Sequence, residues 1–244
     1  MLDIDRQPER EILDALPIFP LPNVVLLPGM VLPLNVFEPR YLAMVDHVLR
    51  GGMHIGVPLL RGLEPGLGSL EEDPPIEAVF GVGKLVAHHR LADGRRFIRL
   101  EGLGRVRVVE ERPVTEAGFR RVTVEALPEA PPEALHQLEI LKAQVERMAE
   151  TFDPDEREMV RSVLRLEDAR VVVYAIASLV PNVELMRAVR GARSLGEQLP
   201  HLRLLQRCLA AEDTDARIRI LSDRAKALID LLSESGSFPV SVLN

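Results

Sequence analysis

Residues 16–41, LPIFPLPNVVLLPGMVLPLNVFEPRY, constrain the fold of this chain more than any other segment. They are almost continuously apolar, yet prolines stand at positions 17, 20, 22, 28, 33 and 39. A proline inside a helix removes a backbone donor and clashes with the preceding turn, at a cost of about 3 kcal/mol. We therefore expect the segment to be extended and buried, and not to form a membrane-spanning helix.

A turn and a helix are predicted inside this segment. Pro28 and Gly29 suit the central positions of a type II turn between strands at 24–27 and 31–34, because proline presets φ and glycine accepts φ > 0. Pro39 fits the first turn of a helix, where its missing donor does no harm, and the glycines at 51 and 52 end that helix. The inner face of the helix is predicted to carry Tyr41, Met44, Val45 and Val48.

Strand signals dominate the chain up to residue 127. A short strand is predicted at 54–60, and the Gly- and Pro-rich residues 61–75 are predicted to form a mobile surface loop. Asp93-Gly94 marks a tight hairpin between strands at 79–87 and 97–101. Apolar and charged residues then alternate along 105–108 and 121–126, which is typical of strands with one face in water.

The glycines of GVG at 81–83 have two interpretations. A phosphate-binding loop requires a Ser or Thr after the lysine, but Leu85 follows Lys84, and the motif lies inside a strand pattern. We therefore interpret these glycines as belonging to a β-bulge or a barrel corner.

The composition changes near residue 130, and only helical patterns follow the predicted stiff connector PEAPP at 128–132. Asp153, Pro154 and Glu156 form a helix start signal, in which Asp153 is the N-cap and Glu156 completes a capping box. The predicted helices cover 133–151, a segment that begins at 154, 168–179 with an interruption at Pro181, 199–211 with Ser194 and Glu197 as a capping box, and 213–232.

Composition disfavours several classes of protein. The net charge of −7 and pI near 5.5 argue against binding of nucleic acid through phosphate neutralisation. Two Tyr, seven Phe and no Trp leave little material for stacking on bases. A single cysteine, Cys208, cannot form an internal disulfide, and the N-terminus does not resemble a signal peptide, so we expect a cytoplasmic protein.

The sequence predicts no catalytic, cofactor or metal site. His88 and His89 are neighbours in a strand, where successive side chains point to opposite faces, so they cannot easily share an ion. His47 and His54 flank the glycine pair and could approach one another, but two histidines do not make a metal site. Cys208 lies among the leucines of a helix, as expected for a small buried hydrophobic residue.

Exposed apolar surface is the remaining functional signal. A proline-rich strand segment leaves some backbone groups without ladder partners, and an apolar groove there would bind an extended peptide. The alternative is that the two halves of the chain bury this surface completely as core.

Several blocks of residues resemble the substrate-binding domain of the Lon protease family. The first block consists of LPIFPL at 16–21, VVLLPGM at 24–30, LPL at 32–34 and FEPRY at 37–41. The second consists of GVG at 81–83, LADGR at 91–95 and EGLGRVR at 101–107, which are similar to the family's glycine strand, hairpin and following strand. IASLVP at 176–181 resembles a segment of the family's helical part.

The resemblance implies an α+β fold, with a PUA-like β-barrel over residues 1–127 followed by an α-helical bundle over 133–244. It implies no catalysis in this domain. Full-length Lon proteins continue into an ATPase module and a Ser-Lys protease module, and we expect neither in this chain. The prediction is therefore a non-enzymatic, free-standing bacterial Lon-domain protein.

The resemblance also implies recognition of unfolded or extended polypeptide, and the hypothesis is an adaptor in protein quality control with a protease or chaperone as partner. The predicted peptide-binding residues are the apolar side chains Phe19, Leu21, Val25, Leu27, Met30, Phe37 and Tyr41. An RNA-binding PUA-like module is the alternative, with arginines at 95, 96, 99, 105, 107, 120 and 121 on one face, and a hydrolase between the domains is a third hypothesis. No membrane partner, metal or cofactor is expected.

Overall fold

The computed structural model describes residues 13–61, 73–188 and 195–234, without the side chains of 181–200 and 234. These ranges contain six strands and six helices in a mixed α/β fold. The strands are β1 (Leu16–Pro17), β2 (Val31–Val36), β3 (His54–Val57), β4 (Val79–Arg90), β5 (Arg96–Glu111) and β6 (Arg121–Leu127). The helices are α1 (Pro39–Leu49), α2 (Leu135–Ala149), α3 (Pro154–Leu164), α4 (Ala169–Ala188), α5 (Leu195–Ala210) and α6 (Thr214–Glu234).

The chain divides into two compact units. The first unit comprises Met1–Pro128 and Ser194–Ala210, and the second comprises Glu129–Arg193 and Ala211–Asn244, each within the described ranges. All six strands, α1 and α5 belong to the first unit, and the other helices belong to the second. The predicted helical subdomain, 133–244, includes α5, whereas the contacts of the structure group α5 with the strands.

Strand β5 is the centre of a six-stranded antiparallel sheet. Along one edge it pairs with β4, and along the other it pairs first with β2 and then with β6. β3 extends the sheet beyond β4, and β1 extends it beyond β6. The predicted hairpin is confirmed between β4 and β5, where Gly94 has φ 88 and its N–H donates to the carbonyl of Leu91.

The residues that follow β1 contact β3 in parallel orientation. Ile18 forms a bridge to Gly56, and Leu21 forms a bridge to Leu59. The N–H of Phe19 donates to the carbonyl of Gly56 at 2.8 Å, and the N–H of Leu60 donates to the carbonyl of Leu21 at 3.0 Å. Backbone hydrogen bonds therefore connect the residues that follow β1 with β3 and with the residues just after β3.

The proline-rich segment is extended and largely buried, as predicted, but residues 24–27 form no strand. Instead, the backbone carbonyls of Leu26 and Leu27 lie against Gly81 and Gly102, in β4 and β5. A Cβ atom added to Gly81 would lie 1.9 Å from the oxygen of Leu26. The prediction of a strand at 24–27 was wrong because this backbone packs across the sheet glycines and not beside another strand.

Two features predicted around Pro28 and Pro39 are confirmed. Gly29 has φ 77, and the N–H of Met30 donates to the carbonyl of Leu27 at 3.2 Å, as in the predicted type II turn. Helix α1 begins at Pro39 and buries the four side chains predicted for its inner face. These side chains join a hydrophobic cluster, here called the first core, that includes Phe19, Val36, Ile55, Leu85, Ile98 and Leu100.

The glycine interpretation for residues 81–83 is confirmed. The register between β4 and β5 shifts between Val82 and Gly83, as a β-bulge requires. Phe80 and Val82 on the same strand belong to a second hydrophobic cluster with Leu16, Ile18, Val106 and Val122. Small residues at this position allow the 24–27 backbone to approach the sheet while the neighbouring side chains fill the core.

The second unit is helical. Helix α3 begins with the predicted capping box, in which the N–H of Glu156 donates to the Asp153 carboxylate at 2.9 Å. α4 was predicted to be interrupted at Pro181, but it continues as one helix to Ala188. A proline inside a helix removes one hydrogen bond and bends the axis without necessarily ending the helix. The predicted start at Leu199 is also wrong, because α5 begins at Leu195; Ser194 lies outside the described residues.

A buried ionic network connects helices α4 and α6 to the start of the second unit. The Tyr174 hydroxyl donates to the Glu129 carboxylate at 2.5 Å, and the Arg217 guanidinium lies 3.3 Å from the same carboxylate. The Arg217 side chain is 0% exposed and the Glu129 side chain is 4% exposed. Arg217 also stacks over the Tyr174 ring at 4.3 Å, so the network combines an ion pair, a hydrogen bond and a cation–π contact.

Candidate functional site

The seven predicted peptide-binding residues do not form one exposed patch. Phe19, Val25, Leu27 and Tyr41 are buried, with 2–8% of each residue exposed. Leu21 and Met30 are half-buried, and Phe37 is 64% exposed. Much of the segment is therefore core, and Phe37 is its prominent apolar surface residue.

Three of these residues share a small pocket of about 170 Å³. Phe19, Leu21 and Tyr41 form part of its wall, and the rings of Phe19 and Tyr41 are 4.3 Å apart. The pocket is rimmed by charged side chains, including Glu38 and Arg40. An apolar wall with a charged rim suits a single apolar side chain.

The charged rim of this pocket is largely paired. The Arg40 guanidinium lies 3.0 Å from the Glu38 carboxylate and 4.6 Å from the centre of the Tyr41 ring. Arg120 donates to the carbonyl of Pro74 and to Glu111. Burial raises the pKa of the Tyr41 phenol, and the positive charge of Arg40 opposes this shift.

Several exposed apolar residues lie on the outer face of the sheet, where β2, β5 and β4 run side by side, with polar residues among them. Phe97 of β5 stands between Asn35 of β2 and His89 of β4. Two residues further along β5, Arg99 stands between Pro33 and Ala87. The exposed large apolar residues of this region, here called the outer face, are Val31, Phe37, Val86 and Phe97, with exposures of 43–64%.

The outer face is not part of the core, because the core lies on the opposite side of the same strands. Ile98 and Leu100 point into the first core and are fully buried, so the alternating residues of β5 must face outward. Val86 is exposed for a different reason. The β4–β5 register shifts between Leu85 and Ala87, and the bulge leaves Val86 unpaired on the surface.

One edge of β2 is open in the described part of the chain. β2 pairs with β5 along one side, and the described residues provide no strand on its other side. The N–H of Gly102 donates to the carbonyl of Met30 at 2.8 Å, which sets the alternation of the ladder. By this alternation, the backbone groups of Val31, Pro33 and Asn35 are directed toward the open edge. Pro33 fits there because its missing N–H leaves the ladder intact.

The arginines proposed for RNA binding are mostly engaged. Arg95, Arg107 and Arg120 form ion pairs with Asp93, Glu125 and Glu111. Arg96 forms an ion pair with Asp46, and Arg105 is buried and donates to the carbonyl of Leu209. Five of the seven guanidinium groups are therefore paired or buried.

The described residues contain no group of three or more His, Cys, Asp or Glu side chains placed to hold a metal ion. His88 and His89 are both exposed at the end of β4. Cys208 is buried, as its position among leucines predicted. Among the helices of the described ranges, none has the length and apolar content that a membrane span requires.

Sequence reasoning missed Val31, Val86 and Phe97 as surface residues. Phe97 and Val31 alternate along their strands with buried or half-buried residues. Period-2 alternation identifies the two faces of a strand, but it does not tell which apolar face is core. Val86 depends on a bulge whose position the sequence does not specify. Phe37 was the one residue of the outer face that belonged to the predicted set.

The sheet-and-helix architecture defines the chain as a member of a known fold class. The N-terminal domain of the Mycobacterium avium complex Lon protease has a similar structure, with a TM-score of 0.57 and 18% sequence identity. The match covers 87% of this chain and 98% of that chain. At this identity, the likeness establishes the fold alone.

The family follows from the sequence match. Residues 15–241 match the substrate-binding domain of ATP-dependent protease La (LON), and the chain belongs to this family. Lon protease 2 of Myxococcus xanthus is 30% identical over 144 residues, 58% of this chain and 16% of the relative. Lon protease of Desulfovibrio desulfuricans is 31% identical over 140 residues, 56% of this chain and 15% of the relative. The chain thus matches about a sixth of the length of these relatives.

Proposed function

We propose that this protein binds unfolded or extended polypeptide at the outer face and along the open edge of β2. The observation that carries the proposal is the cluster of Val31, Phe37, Val86 and Phe97 on the surface of a substrate-binding domain. Exposed apolar patches next to an unpaired strand edge are a common arrangement for capturing extended chains.

The open edge provides the main-chain part of this binding mode. An added strand would pair with the N–H groups of Val31 and Asn35 and with the carbonyls of Val31, Pro33 and Asn35. Such main-chain bonds are independent of the partner's sequence. This binding mode suits a protein that recognises many unfolded chains.

The apolar side chains provide selectivity for unfolded chains. Side chains of an added strand alternate between the two faces of the sheet, so every second one would lie beside Phe97 and Phe37. Burying one large apolar side chain contributes about 1.5–3 kcal/mol. Folded proteins hide such side chains, so a partner must be extended or unfolded to use this surface. The small pocket at Phe19, Leu21 and Tyr41 would accept one further apolar side chain.

Several finer statements about the protein belong to the same proposal. The parallel bridges from Ile18 to Gly56 in β3 and from Leu21 to Leu59 just after it support a sheet that curves into a barrel of the PUA-like type, as the resemblance implied. The predicted subdomain ranges, 1–127 and 133–244, remain a prediction. We propose a non-enzymatic role as an adaptor that presents bound polypeptide to a protease or chaperone.

Binding of reduced, carboxymethylated α-lactalbumin, a permanently unfolded polypeptide, tests the proposal. In a fluorescence anisotropy titration, we expect the double variant Phe37→Ser/Phe97→Ser to bind at least tenfold more weakly, because two apolar anchors are lost. Val109→Ser is the matched control, since Val109 is 63% exposed on the distant part of β5. Equal affinity of the double variant and the wild type would refute the outer face as the site.

A second pair of variants tests the open edge separately. Asn35→Pro removes an N–H that points to the open edge, so it should weaken polypeptide binding while leaving the β2–β5 ladder intact. Pro33→Ala adds an N–H to the same edge and should bind equally well or more tightly. If Asn35→Pro binds like the wild type in a folded protein, strand addition at β2 is wrong.

A further inference from the structure

A second concave site lies in the first unit, on a different part of its surface from the outer face. It is a cleft of about 340 Å³ between the end of α1, the start of β3 and the paired strands β1 and β6. Its polar side chains are His47, His54 and Arg121, and its apolar walls include Pro17, Val48 and Met53. The described residues that line it include no Asp or Glu.

Arg121 is the unusual residue of this cleft. It is half-buried, and its Nε atom is fully buried without a hydrogen-bond partner. None of the side-chain hydrogen bonds or ion pairs within the described ranges involves Arg121. That atom is closed to solvent, so an acceptor that enters the cleft would meet the two terminal nitrogens of the guanidinium, which are not among the buried unsatisfied atoms. A charge-assisted hydrogen bond to these nitrogens would be favourable.

Other half-buried or buried arginines of the same unit show that Arg121 is an exception. Arg96 is paired with Asp46, Arg120 with Glu111, and Arg105 donates to backbone carbonyls. Each of these three guanidinium groups has at least one acceptor among the described residues. The described residues supply none for the Arg121 side chain.

The two histidines add further donors on the opposite side of the cleft. His47 is on the last turn of α1, where the centre of its ring lies 5.4 Å from that of Phe119 with the two planes tilted by 47°, and His54 begins β3. Between them, Met53 has φ 62, in the left-handed region, and its side chain packs against the first core. Such a φ is unfavourable for methionine. The packing of the Met53 side chain compensates for this cost and holds the backbone next to His54 in place.

The end of α1 carries partial negative charge, which opposes an anion in the cleft. However, the carbonyls of His47 and Val48 already accept hydrogen bonds from Arg50, Gly51 and Met53. A full positive charge on Arg121 outweighs capped carbonyls, since charge-assisted bonds are about twice as strong as neutral ones.

We propose that this cleft binds a carboxylate carried on a short apolar group, with Arg121 as its main partner and His47 and His54 as further donors. The planar guanidinium matches the two oxygens of a carboxylate. The apolar walls would cover the carbon atoms attached to that carboxylate. The chemistry fits either the C-terminal end of a polypeptide or a small free carboxylic acid. The inference is independent of the outer face, because the two sites share no residue.

Calorimetric titration of the whole chain with three probes tests the inference and separates the two sources. The probes are the peptide acetyl-Ala-Val-Leu with a free carboxylate, the same peptide as its C-terminal amide, and isovalerate. We expect the free acid to bind at least tenfold more tightly than the amide. Tighter binding of the peptide than of isovalerate assigns the site to polypeptide ends, and equal or tighter binding of isovalerate assigns it to small acids.

The variant Arg121→Gln should weaken binding of the acid by roughly 10- to 100-fold. It should not lower the unfolding temperature, because Arg121 makes no ion pair within the described ranges. Arg90→Gln is the matched control: it removes the same charge from an exposed position at the end of β4 and should bind like the wild type. Equal binding of acid and amide, no binding of either acid, or unchanged binding by Arg121→Gln would overturn the inference.

Discussion

The substitution Gly102→Ala tests how the proline-rich segment is held against the sheet. A Cβ atom on Gly102 would lie 2.2 Å from the carbonyl oxygen of Leu27 and 3.1 Å from its carbonyl carbon. A carbon atom normally approaches a carbonyl oxygen to about 3.3 Å. The two backbones would therefore have to separate by about 1 Å. Because the obstacle is main chain and not a flexible side chain, we expect a cost of about 3 kcal/mol, at the upper end for overpacking.

Gly104→Ala is the matched control, two residues further along the same strand. Apart from its neighbours along the chain, no described residue has an atom within 4 Å of a Cβ placed on Gly104. Glycine in a strand loses more conformational freedom on folding than alanine does, so this variant should be unchanged or up to about 1 kcal/mol more stable. The two variants are thus expected to change stability in opposite directions.

The assay is amide hydrogen exchange in β5, measured at increasing concentrations of urea. It reports directly on the stability of the first unit. The measured quantity is the free energy of opening for amides of β5 in each variant and in the wild type. If Gly102→Ala and Gly104→Ala have the same free energy, the close approach of residue 27 to β5 is wrong. A large loss of stability in Gly104→Ala would refute the reasoning equally.

Three further predictions concern buried and paired charges. Glu129→Gln removes the carboxylate that faces the buried Arg217 and should lower the free energy of unfolding by about 3 kcal/mol or more. Glu125→Gln is the control, because both side chains of its ion pair are 52% exposed, and it should lower that free energy by at most about 1 kcal/mol. Urea titrations measure both changes. The hydrogen bond from Arg170 holds the pKa of Asp168 below its ordinary value of 3.8, so Asp168→Asn should be less stable than the wild type at neutral pH, by a difference that disappears as the pH falls below about 4. Burial raises the pKa of Tyr41, so wild-type stability should fall as the pH rises above 10.0 and Tyr41→Phe should retain its stability there, as thermal unfolding can measure. Equal losses for the two glutamate variants, or pH profiles unchanged by the other two substitutions, would contradict these assignments.

Local signals in the sequence predicted much of the fold because their physical causes are local. Asp153 and Glu156 cap a helix through contacts three residues apart, and Gly29 and Gly94 adopt the positive φ that their turns require. The inner face of α1 follows from helical spacing alone.

The features that the sequence did not predict depend on distant partners. The strand predicted at 24–27 has the right composition, but Gly81 and Gly102 offer its backbone a closer contact than any strand partner. α4 continues through Pro181 because a proline inside a helix removes one hydrogen bond without necessarily ending the helix. The first error arises because a tertiary contact overrides a local preference.

The candidate sites were predictable only in part for the same reason. The sequence identified an apolar segment with Phe37, but the outer face also requires Val86 and Phe97 from strands about 50 to 60 residues away along the chain. The cleft at Arg121 combines residues from four elements, and the missing acceptor for its guanidinium is visible only once its neighbours are placed.

Binding of polypeptide along β2 would protect the backbone amides at its open edge, and amide hydrogen exchange measures this protection. The exchange rates of the Val31 and Asn35 amides would be measured with and without reduced, carboxymethylated α-lactalbumin, and the amide of Val109 would serve as an internal reference. If an added strand pairs with the open edge, the exchange of Val31 and Asn35 slows at least tenfold in the complex while that of Val109 is unchanged. Unchanged exchange at Val31 and Asn35 at saturating polypeptide would contradict the account.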